Sequence, residues 1–314
     1  MKKYLKKYSA IFYVSITMFM SQVLYAQQSP VVSHYMFNHL LLNPAYAGSH
    51  EYVSTTLLYR RQWAGMEGAP VTQSASIHGL IPKKRLGLGF YLQQDKIGVT
   101  KQTDFYGSAA YHLDLGDAKL SVGLQGGFTY LKSELAKLTY WDPFDNVFNY
   151  NEFTTMLPNV GAGVYYYRNL FYAGLSAPYL LSYDSARGPD INPPNPIHHL
   201  VRKYYFTMGG VIETEQEIKF KPSMLLKFEQ KGDFQYDINL NVLIKNIFWI
   251  GASYRSKDAV VLLLEYQINR KLRLGYSFDY TVGKLKNYNT GSHEIMLGYD
   301  FGFSVLKMKS PRYF

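Results

Sequence analysis

The feature that most restricts the fold of this chain is a period-two alternation of apolar and polar residues, repeated in segments of about ten residues. In one segment, Leu272, Leu274 and Tyr276 alternate with Arg273 and Gly275. Consecutive side chains of a β-strand point to opposite faces, and a tilted strand that crosses a bilayer needs about nine to eleven residues. The pattern therefore predicts strands of a length that suits a membrane.

The alternation recurs often enough to predict about fourteen strands. They lie near residues 51–63, 70–81, 86–95, 102–114, 118–132, 159–168, 170–177, 202–213, 217–229, 233–244, 247–255, 258–268, 271–281 and 292–304. With the amino terminus on the periplasmic side, every second connection is short, and the longest ones, near 133–158 and 178–201, fall on the opposite side. This favours an all-β fold: a transmembrane antiparallel up-and-down barrel with short periplasmic turns and longer extracellular loops.

A soluble sandwich or barrel is the alternative, because there too the alternation would separate a buried face from a wet one. The polar face is rich in small residues, among them Gly123, Gly127, Ser277 and Gly298. In a membrane barrel these residues would face the lumen while aromatic side chains, 17% of the chain, would point outward. The number of long strands also favours the membrane barrel.

The start of the chain predicts export. Lysines precede an apolar stretch, so residues 1–26 read as a signal peptide, 27–50 as a periplasmic leader, and 51–314 as an outer-membrane barrel with a carboxyl-terminal tail. The formal net charge of +10 falls to +6 without the four signal lysines, so it gives no reason to expect a nucleic-acid partner. The chain has no cysteine, which excludes disulfides and thiolate chemistry.

A search for chemistry finds no catalytic or metal-binding constellation, so we expect no enzyme activity and no cofactor. His198 and His199 are adjacent but lack further convergent ligands. The fragments Gly87-Leu88-Gly89 and Gly161-Ala162-Gly163 lie on strands, where they ease curvature rather than bind a nucleotide. Acids in predicted external loops could bind calcium but are more simply solvated; they are Asp95, Asp142, Asp145, Asp184 and Asp190.

Several short motifs together resemble one known family. They are Tyr35-Met36-Phe37-Asn38, the segment Leu41 to Gly48 (LLNPAYAG), Tyr59-Arg60-Arg61-Gln62-Trp63, the segment Gly68 to Gln73, Asp95-Lys96-Ile97-Gly98 and the final Ser310-Pro311-Arg312-Tyr313-Phe314. This combination resembles the PorP/SprF outer-membrane proteins associated with the type IX secretion system of Bacteroidota. The resemblance spans nearly the whole chain after residue 26.

The resemblance implies a non-enzymatic barrel that aids secretion or surface retention of an exported protein such as an adhesin, in some species for gliding motility. The implied partners are periplasmic ring or peptidoglycan-associated lipoproteins of the secretion system, and a secreted adhesin or its C-terminal domain. Outer-membrane lipid would surround the barrel. A general pore for small solutes is the alternative function, and an outer-membrane enzyme is a weaker one.

Two groups of residues are candidate contacts. Those for an exported partner lie in predicted external loops: Trp63, Met66, Glu67, Tyr140, Trp141, Asp142, Phe144, His198 and His199. Those for a leader or periplasmic contact are Tyr35, Phe37, Asn38, Asn43, Pro44 and Tyr46. The segment Arg60-Arg61-Gln62-Trp63 is expected near the outer rim, where cations could meet anionic headgroups and an indole could simply anchor in the membrane. The leader itself is expected to line or plug the periplasmic mouth.

Overall fold

A computed structural model describes residues 32–50, 52–81, 83–134, 137, 152–183, 200–215, 217–230 and 234–301. The predicted signal peptide, 1–26, and the terminal motif, 310–314, lie outside these residues, as do most of the two longest predicted loops. The strands of the described part form a single antiparallel sheet. No helix among the described residues is long and apolar enough to cross a membrane.

The sheet contains fifteen strand segments, which have the following bounds. They are β1 (Val53–Arg61), β2 (Val71–Leu80), β3 (Leu86–Ile97), β4 (Thr100–Leu115), β5 (Ala118–Ser133), β6 (Phe153–Arg168), β7 (Phe171–Tyr179), β8 (Lys203–Gly210), β9 (Ile212–Glu213), β10 (Ile218–Glu229), β11 (Gln235–Ile244), β12 (Phe248–Arg255), β13 (Ala259–Gln267), β14 (Leu272–Thr281) and β15 (Ser292–Phe301).

The sheet closes into a barrel of fourteen strands. Segments β8 and β9 both pair with β10 and are separated by one residue, so they form one strand. Each strand pairs with the next along the chain, and β1 pairs with β15 as well as with β2. The ring is complete because β10 pairs with β11, in the register Ile218 opposite Ile244. The predicted all-β, up-and-down, fourteen-strand architecture is therefore confirmed.

The two faces of the sheet differ as the alternation predicts. Outward positions carry large apolar side chains in contact with the surroundings; Leu57 is 47% exposed and Leu124 is 65% exposed. The intervening positions are buried inside the barrel and are mostly polar. One expectation about this alternation is wrong: not all aromatic residues point outward, since Tyr91, Tyr106 and Tyr165 are buried in the lumen.

The connections define the two ends of the barrel. The turn end carries the connections after β2, β4, β6, β9, β11 and β13, each of five residues or fewer. The loop end carries the others, of which those after β5 and β7 are long. Short turns are periplasmic in bacterial barrels, so the turn end faces the periplasm. Three loop-end connections, 98–99, 230–234 and 256–258, are also short, as the predicted strand bounds already imply for the last two.

Two strand boundaries differ from the prediction. Strand β6 begins at Phe153, six residues earlier than expected, although it contains Pro158. Proline is tolerated there because β7 pairs with β6 only from Ala162 onward, so no ladder bond from Pro158 to β7 is needed. Strand β3 continues to Ile97, which places Asp95 on a strand instead of a loop. Asp95 is buried and accepts a hydrogen bond from the Thr72 hydroxyl at 2.6 Å, so it is not a solvated loop acid.

Candidate functional site

The lumen of the barrel is occupied by residues 32–50, which we call the leader. It forms three short 3-10 helices, at Tyr35–Phe37, His39–Leu41 and Pro44–Tyr46. The Asn38 and Asn43 side chains cap the second and third of them by accepting from the backbone N–H groups of Leu40 and Ala45. Proline at the first position of the third helix loses no hydrogen bond there. These Asn and Pro positions explain why the leader is compact but not one continuous helix.

The leader spans the barrel from end to end. Ser33 contacts β14 and β15 near the loop end, whereas Gly48, in the left-handed region with φ of 75°, lies against the turn end of β2 and β3. Its side chains are deeply buried: Met36, Leu40 and Tyr46 have no exposed surface. The expectation that the leader lines or plugs the periplasmic mouth therefore understates its extent, since it fills the lumen toward the opposite end as well.

Two wall carboxylates hold the first described residues of the leader. Glu294 accepts from the backbone N–H groups of Ser33 and His34, at 2.8 and 2.7 Å, and contacts the His34 Nδ1 at 2.7 Å. Asp279 accepts from the Ser33 hydroxyl at 3.0 Å. Both acids are buried. Hydrogen bonds to a charged acceptor that is shielded from water are stronger than hydrogen bonds between neutral groups. Glu294 and Asp279 therefore fix the leader at the loop end.

Two arginines compensate the charge of these acids. Arg60 lies 2.8 Å from Asp279 and 3.3 Å from Glu294, and Arg255 lies 3.1 Å from Asp279 and 3.0 Å from Asp237. Both guanidinium groups also donate to the Ser33 hydroxyl. The expectation that Arg60 meets lipid headgroups at the rim is wrong, because Arg60 is 2% exposed and points into the lumen. Its neighbour Arg61 is the exposed one.

The middle of the leader rests on one side of the wall. The Lys221 ammonium donates to the Met36 carbonyl at 2.9 Å and lies 4.8 Å from the centre of the Phe37 ring. Phe37 in turn packs edge-on against Trp249, with ring centres 5.7 Å apart. Cation–π and aromatic contacts of this kind gain strength away from water. The wall around Trp249 therefore forms an apolar surface against which the leader packs.

The second half of the leader is held by hydrogen bonds to its backbone. The Ser176 hydroxyl donates to the Leu42 carbonyl at 2.7 Å, and the His112 imidazole lies 2.9 Å from the Ala47 carbonyl. Toward the wall, the Asn43 amide donates to the Val164 carbonyl at 3.0 Å. These bonds satisfy backbone groups that a buried irregular segment would otherwise leave unpaired.

His39 sits among aromatic rings at the centre of the leader. Its ring lies 4.9 Å from that of Tyr172 and 5.2 Å from that of Tyr46, measured between centres. Burial, together with the positive charge of Lys221, lowers the pKa of His39 well below 6.5. The imidazole is therefore neutral at neutral pH and acts as a packing group.

Glycines of the wall make room for the leader. A Cβ at Gly123 would lie 2.6 Å from the Pro44 carbonyl carbon, one at Gly89 would lie 2.8 Å from Leu40, and one at Gly87 would overlap the Ala47 carbonyl. By contrast, a Cβ at Gly107 or Gly126, which face outward, would meet nothing within 4 Å. Some lumen glycines therefore exist for close approach of the leader backbone, a reason that differs from the curvature expected for Gly87 and Gly89.

The structure places the predicted partner residues as follows. Trp63, Met66 and Glu67 lie in the first loop-end connection; the first two are half-buried and Glu67 is exposed. The other six, Tyr140, Trp141, Asp142, Phe144, His198 and His199, lie outside the described residues, as do the remaining loop acids Asp142, Asp145, Asp184 and Asp190. The six predicted leader contacts, Tyr35, Phe37, Asn38, Asn43, Pro44 and Tyr46, are buried together in the lumen, where they contact the wall.

Sequence reasoning missed several residues of the lumen and rim. The wall residues Asp279, Glu294, Arg255 and Lys221 carry no motif, although their inward position follows from the alternation. At the loop end, Tyr288 is 71% exposed. It belongs to a connection that is tied to the first one by two hydrogen bonds: the Ala64 N–H donates to the Gly291 carbonyl, and the Thr290 N–H donates to the Ala64 carbonyl. Among the described residues, no three His, Asp or Glu side chains converge as a metal site would require.

Comparisons with known proteins identify one family model and several distantly similar solved structures. The family model described as type IX secretion system membrane protein PorP/SprF matches residues 24–299. No curated protein sequence matches the chain. Among solved structures, Omp33 of Acinetobacter baumannii is 10% identical with a TM-score of 0.43, covering 80% of this chain and 99% of Omp33. The toluene transporter TbuX of Ralstonia pickettii is 11% identical with a TM-score of 0.49, covering 83% and 92%. These likenesses are too distant to bear on function, and the barrel is established by its own strand pairing.

Proposed function

Because the chain belongs to the PorP/SprF family of type IX secretion system membrane proteins and so lies in the bacterial outer membrane, we propose that it acts by binding an exported protein. The family consists of membrane proteins of a secretion system, and we propose that this chain has a non-catalytic role in that system. The barrel would aid the secretion of that protein or hold it at the cell surface. An adhesin, or the C-terminal domain of one, is the partner we propose, with gliding motility as one process it could serve.

The observation that carries this proposal is the filled lumen. The leader occupies the interior from Ser33 to Gly48 and is fixed by charged hydrogen bonds at the loop end. Because the leader side chains are buried against the wall, we infer that an exported polypeptide does not pass beside the leader. We therefore propose that an exported protein binds at the ends of the barrel and not in its interior.

The loop end offers a surface for the exported partner. Trp63 and Met66 are half-buried there, and Glu67 and Tyr288 are exposed. Hydrogen bonds join Ala64 to the neighbouring connection and Gly68 to Gly98 of the β3–β4 turn, so the first loop-end connection is held in place. Partly or fully exposed aromatic and thioether groups on a fixed backbone are typical of protein-binding surfaces.

We assign contacts with periplasmic ring or peptidoglycan-associated lipoproteins to the turn end. Its connections are short and expose charged side chains such as Lys83, Asp117 and Lys245. The six leader residues predicted for such contacts are buried, so they could bind a periplasmic partner only if the leader left the lumen. Their contact role stays a prediction, distinct from the contacts they make with the wall.

The test is a comparison of secreted and surface-exposed proteins between a strain lacking the gene and its parent. Loss of every type IX substrate would identify a general secretion component, and loss of one large adhesin would identify a dedicated partner. If neither set changes, the proposal is wrong. The gene would then be restored with Trp63, Met66 and Glu67 replaced by alanine, and separately with Asp117→Ala at the opposite end. We expect only the first variant to lose the exported partner.

A general pore for small solutes is the second candidate, and the polar face of the lumen wall favours it. Steady single-channel current through the purified native protein would support the pore. We expect no such current, because the leader occupies the lumen.

A further inference from the structure

The wall behind the leader is more polar than a surface built only for packing. Most of its buried side chains are Ser, Thr, Asn, His or charged residues. Several have oxygen atoms with no hydrogen-bond partner among the described residues, including the hydroxyls of Ser121, Ser253 and Ser277 and the Oε2 atom of Glu265. Buried polar atoms of this kind are normally satisfied by water. The wall is thus suited to a hydrated lumen.

The apolar side chains of the wall form separate clusters and not a continuous lining. The side chains that hold Phe37 include Leu243, Trp249, Val261 and Leu263, on β11, β12 and β13. Strands β2 to β5 carry several buried polar side chains beside the aromatic and apolar Tyr91, Tyr106 and Leu131. These polar side chains are Thr72, Ser76, Ser108, Ser121 and Thr129. If the leader were absent, these polar side chains would face water at little cost, and the closed ring of strand pairs would not be broken.

Charges on the wall favour cations. Among the described strands, eight buried acids face the lumen: Asp95, Asp104, Glu229, Asp237, Glu265, Asp279, Glu294 and Asp300. Six buried bases accompany them: Arg60, Lys203, Lys221, Lys227, Arg255 and Arg273. Acidic linings select cations in channels, and a low-dielectric wall strengthens their effect. A hydrated lumen with this lining would pass cations in preference to anions.

The number of strands permits such a passage. Barrels of about eight strands are filled by their own side chains, whereas those of sixteen to eighteen leave an aqueous channel. This barrel has fourteen, and its interior holds a nineteen-residue leader in compact turns. The space taken by the leader is therefore wide enough for small hydrated ions.

From these observations we propose that the leader is a plug on a latent channel for small hydrated cations. The bonds of Glu294 and Asp279 to Ser33 and His34 are the latch that keeps it closed. This activity goes beyond the proposed role in secretion, because neither depends on the other: a binding barrel could lack a channel, and a channel could serve no secretion.

The experiment measures current through purified protein in a planar lipid bilayer with a KCl gradient. We expect no steady current from the native chain. A variant in which residues 33–46 are replaced by a Gly-Ser segment of equal length is expected to conduct steadily, with a reversal potential that shows K⁺ passing in preference to Cl⁻. Each sample is first shown to be a folded barrel by its shifted migration in an unheated SDS gel.

A single substitution tests the latch without removing the leader. Glu294→Gln keeps the size of the side chain but weakens its bonds to the Ser33 and His34 N–H groups. Asp300→Asn is the matched control, because Asp300 is also a buried acid on β15 but accepts from Ser54 and not from the leader. Because a hydrogen bond to a charged acceptor is stronger than one to a neutral amide, we expect Glu294→Gln to open at least about tenfold more often than either the native chain or the control.

Three results would overturn the proposal. The first is a folded leader-replacement variant that passes no current or prefers Cl⁻. The second is a native chain that conducts as strongly as that variant, since the leader would then not be a plug. The third is that Glu294→Gln and Asp300→Asn open equally often, which would show that the bonds to Glu294 do not hold the plug closed. The surface-protein comparison tests the secretion proposal separately. The first and third results leave that proposal standing, whereas a conducting native chain would also support the general pore.

Discussion

The substitution Gly123→Val tests whether the leader backbone lies against the wall. Gly123 is on β5 and faces the lumen, and a Cβ there would lie 2.6 Å from the Pro44 carbonyl carbon. Carbon atoms in contact need about 3.5 Å, so the two backbones must separate by roughly 1 Å, or the leader must leave. Overpacking of this kind costs about 1–3 kcal/mol, which is the destabilisation we expect.

The free energy of unfolding would be measured by urea titration in lipid vesicles. Gly126→Val is the matched control, because Gly126 lies three residues further along β5, faces outward and has nothing within 4 Å of a Cβ. Valine favours strands, so the control is expected to change stability by less than about 0.5 kcal/mol or to increase it. Equal effects of the two substitutions would refute the placement of the leader. Increased protease cleavage near Pro44 in Gly123→Val alone would show that the leader has moved outward.

Three further predictions follow from the lumen and the rim. Arg60→Met should destabilise the barrel by about 3–5 kcal/mol, because it leaves the buried acids Asp279 and Glu294 short of a cation, while the exposed neighbour Arg61→Met should have little effect in the same urea titration. His39→Phe should make stability less sensitive to acid. The lowered pKa of His39 means that the unfolded chain binds the proton more readily, so native stability falls as the pH drops below about 6.5, and titrations at pH 7.5 and 5.5 should show a smaller loss in the variant. Tyr288→Ala should reduce retention of the exported partner at the cell surface without changing urea stability; an unchanged partner would exclude Tyr288 from the binding surface.

The alternation of side chains was sufficient to predict most of the barrel, since burying one face fixes the register of each strand. It would also have corrected the expectation about Arg60: Leu57 and Tyr59 point outward, so Arg60 must point inward. The early start of β6 was not predictable in this way, because Pro158 normally marks a break in a strand. Only the limited pairing between β6 and β7 explains why it is tolerated there.

The path of the leader could not be read from the sequence. Its main loop-end contacts join residues separated by 246 to 261 positions, and nothing local to Ser33 or His34 indicates Asp279 or Glu294 as partners. The motif from Asn43 to Gly48 does predict turns, and the structure forms them. It does not predict that these turns lie inside the barrel, because that depends on glycines of distant strands that leave space for them.

The position of the latch has a consequence for assembly. The leader precedes every strand, yet the acids that hold it are on β14 and β15, and β15 must also pair with β1 to complete the ring. Contacts between the two ends of a chain form slowly, because a long loop must close first. The leader can therefore be fixed only when β14 and β15 have formed. The same step pairs β15 with β1 and closes the barrel. A barrel with an open seam has no complete latch, so closure of the wall and closure of the lumen are one cooperative event.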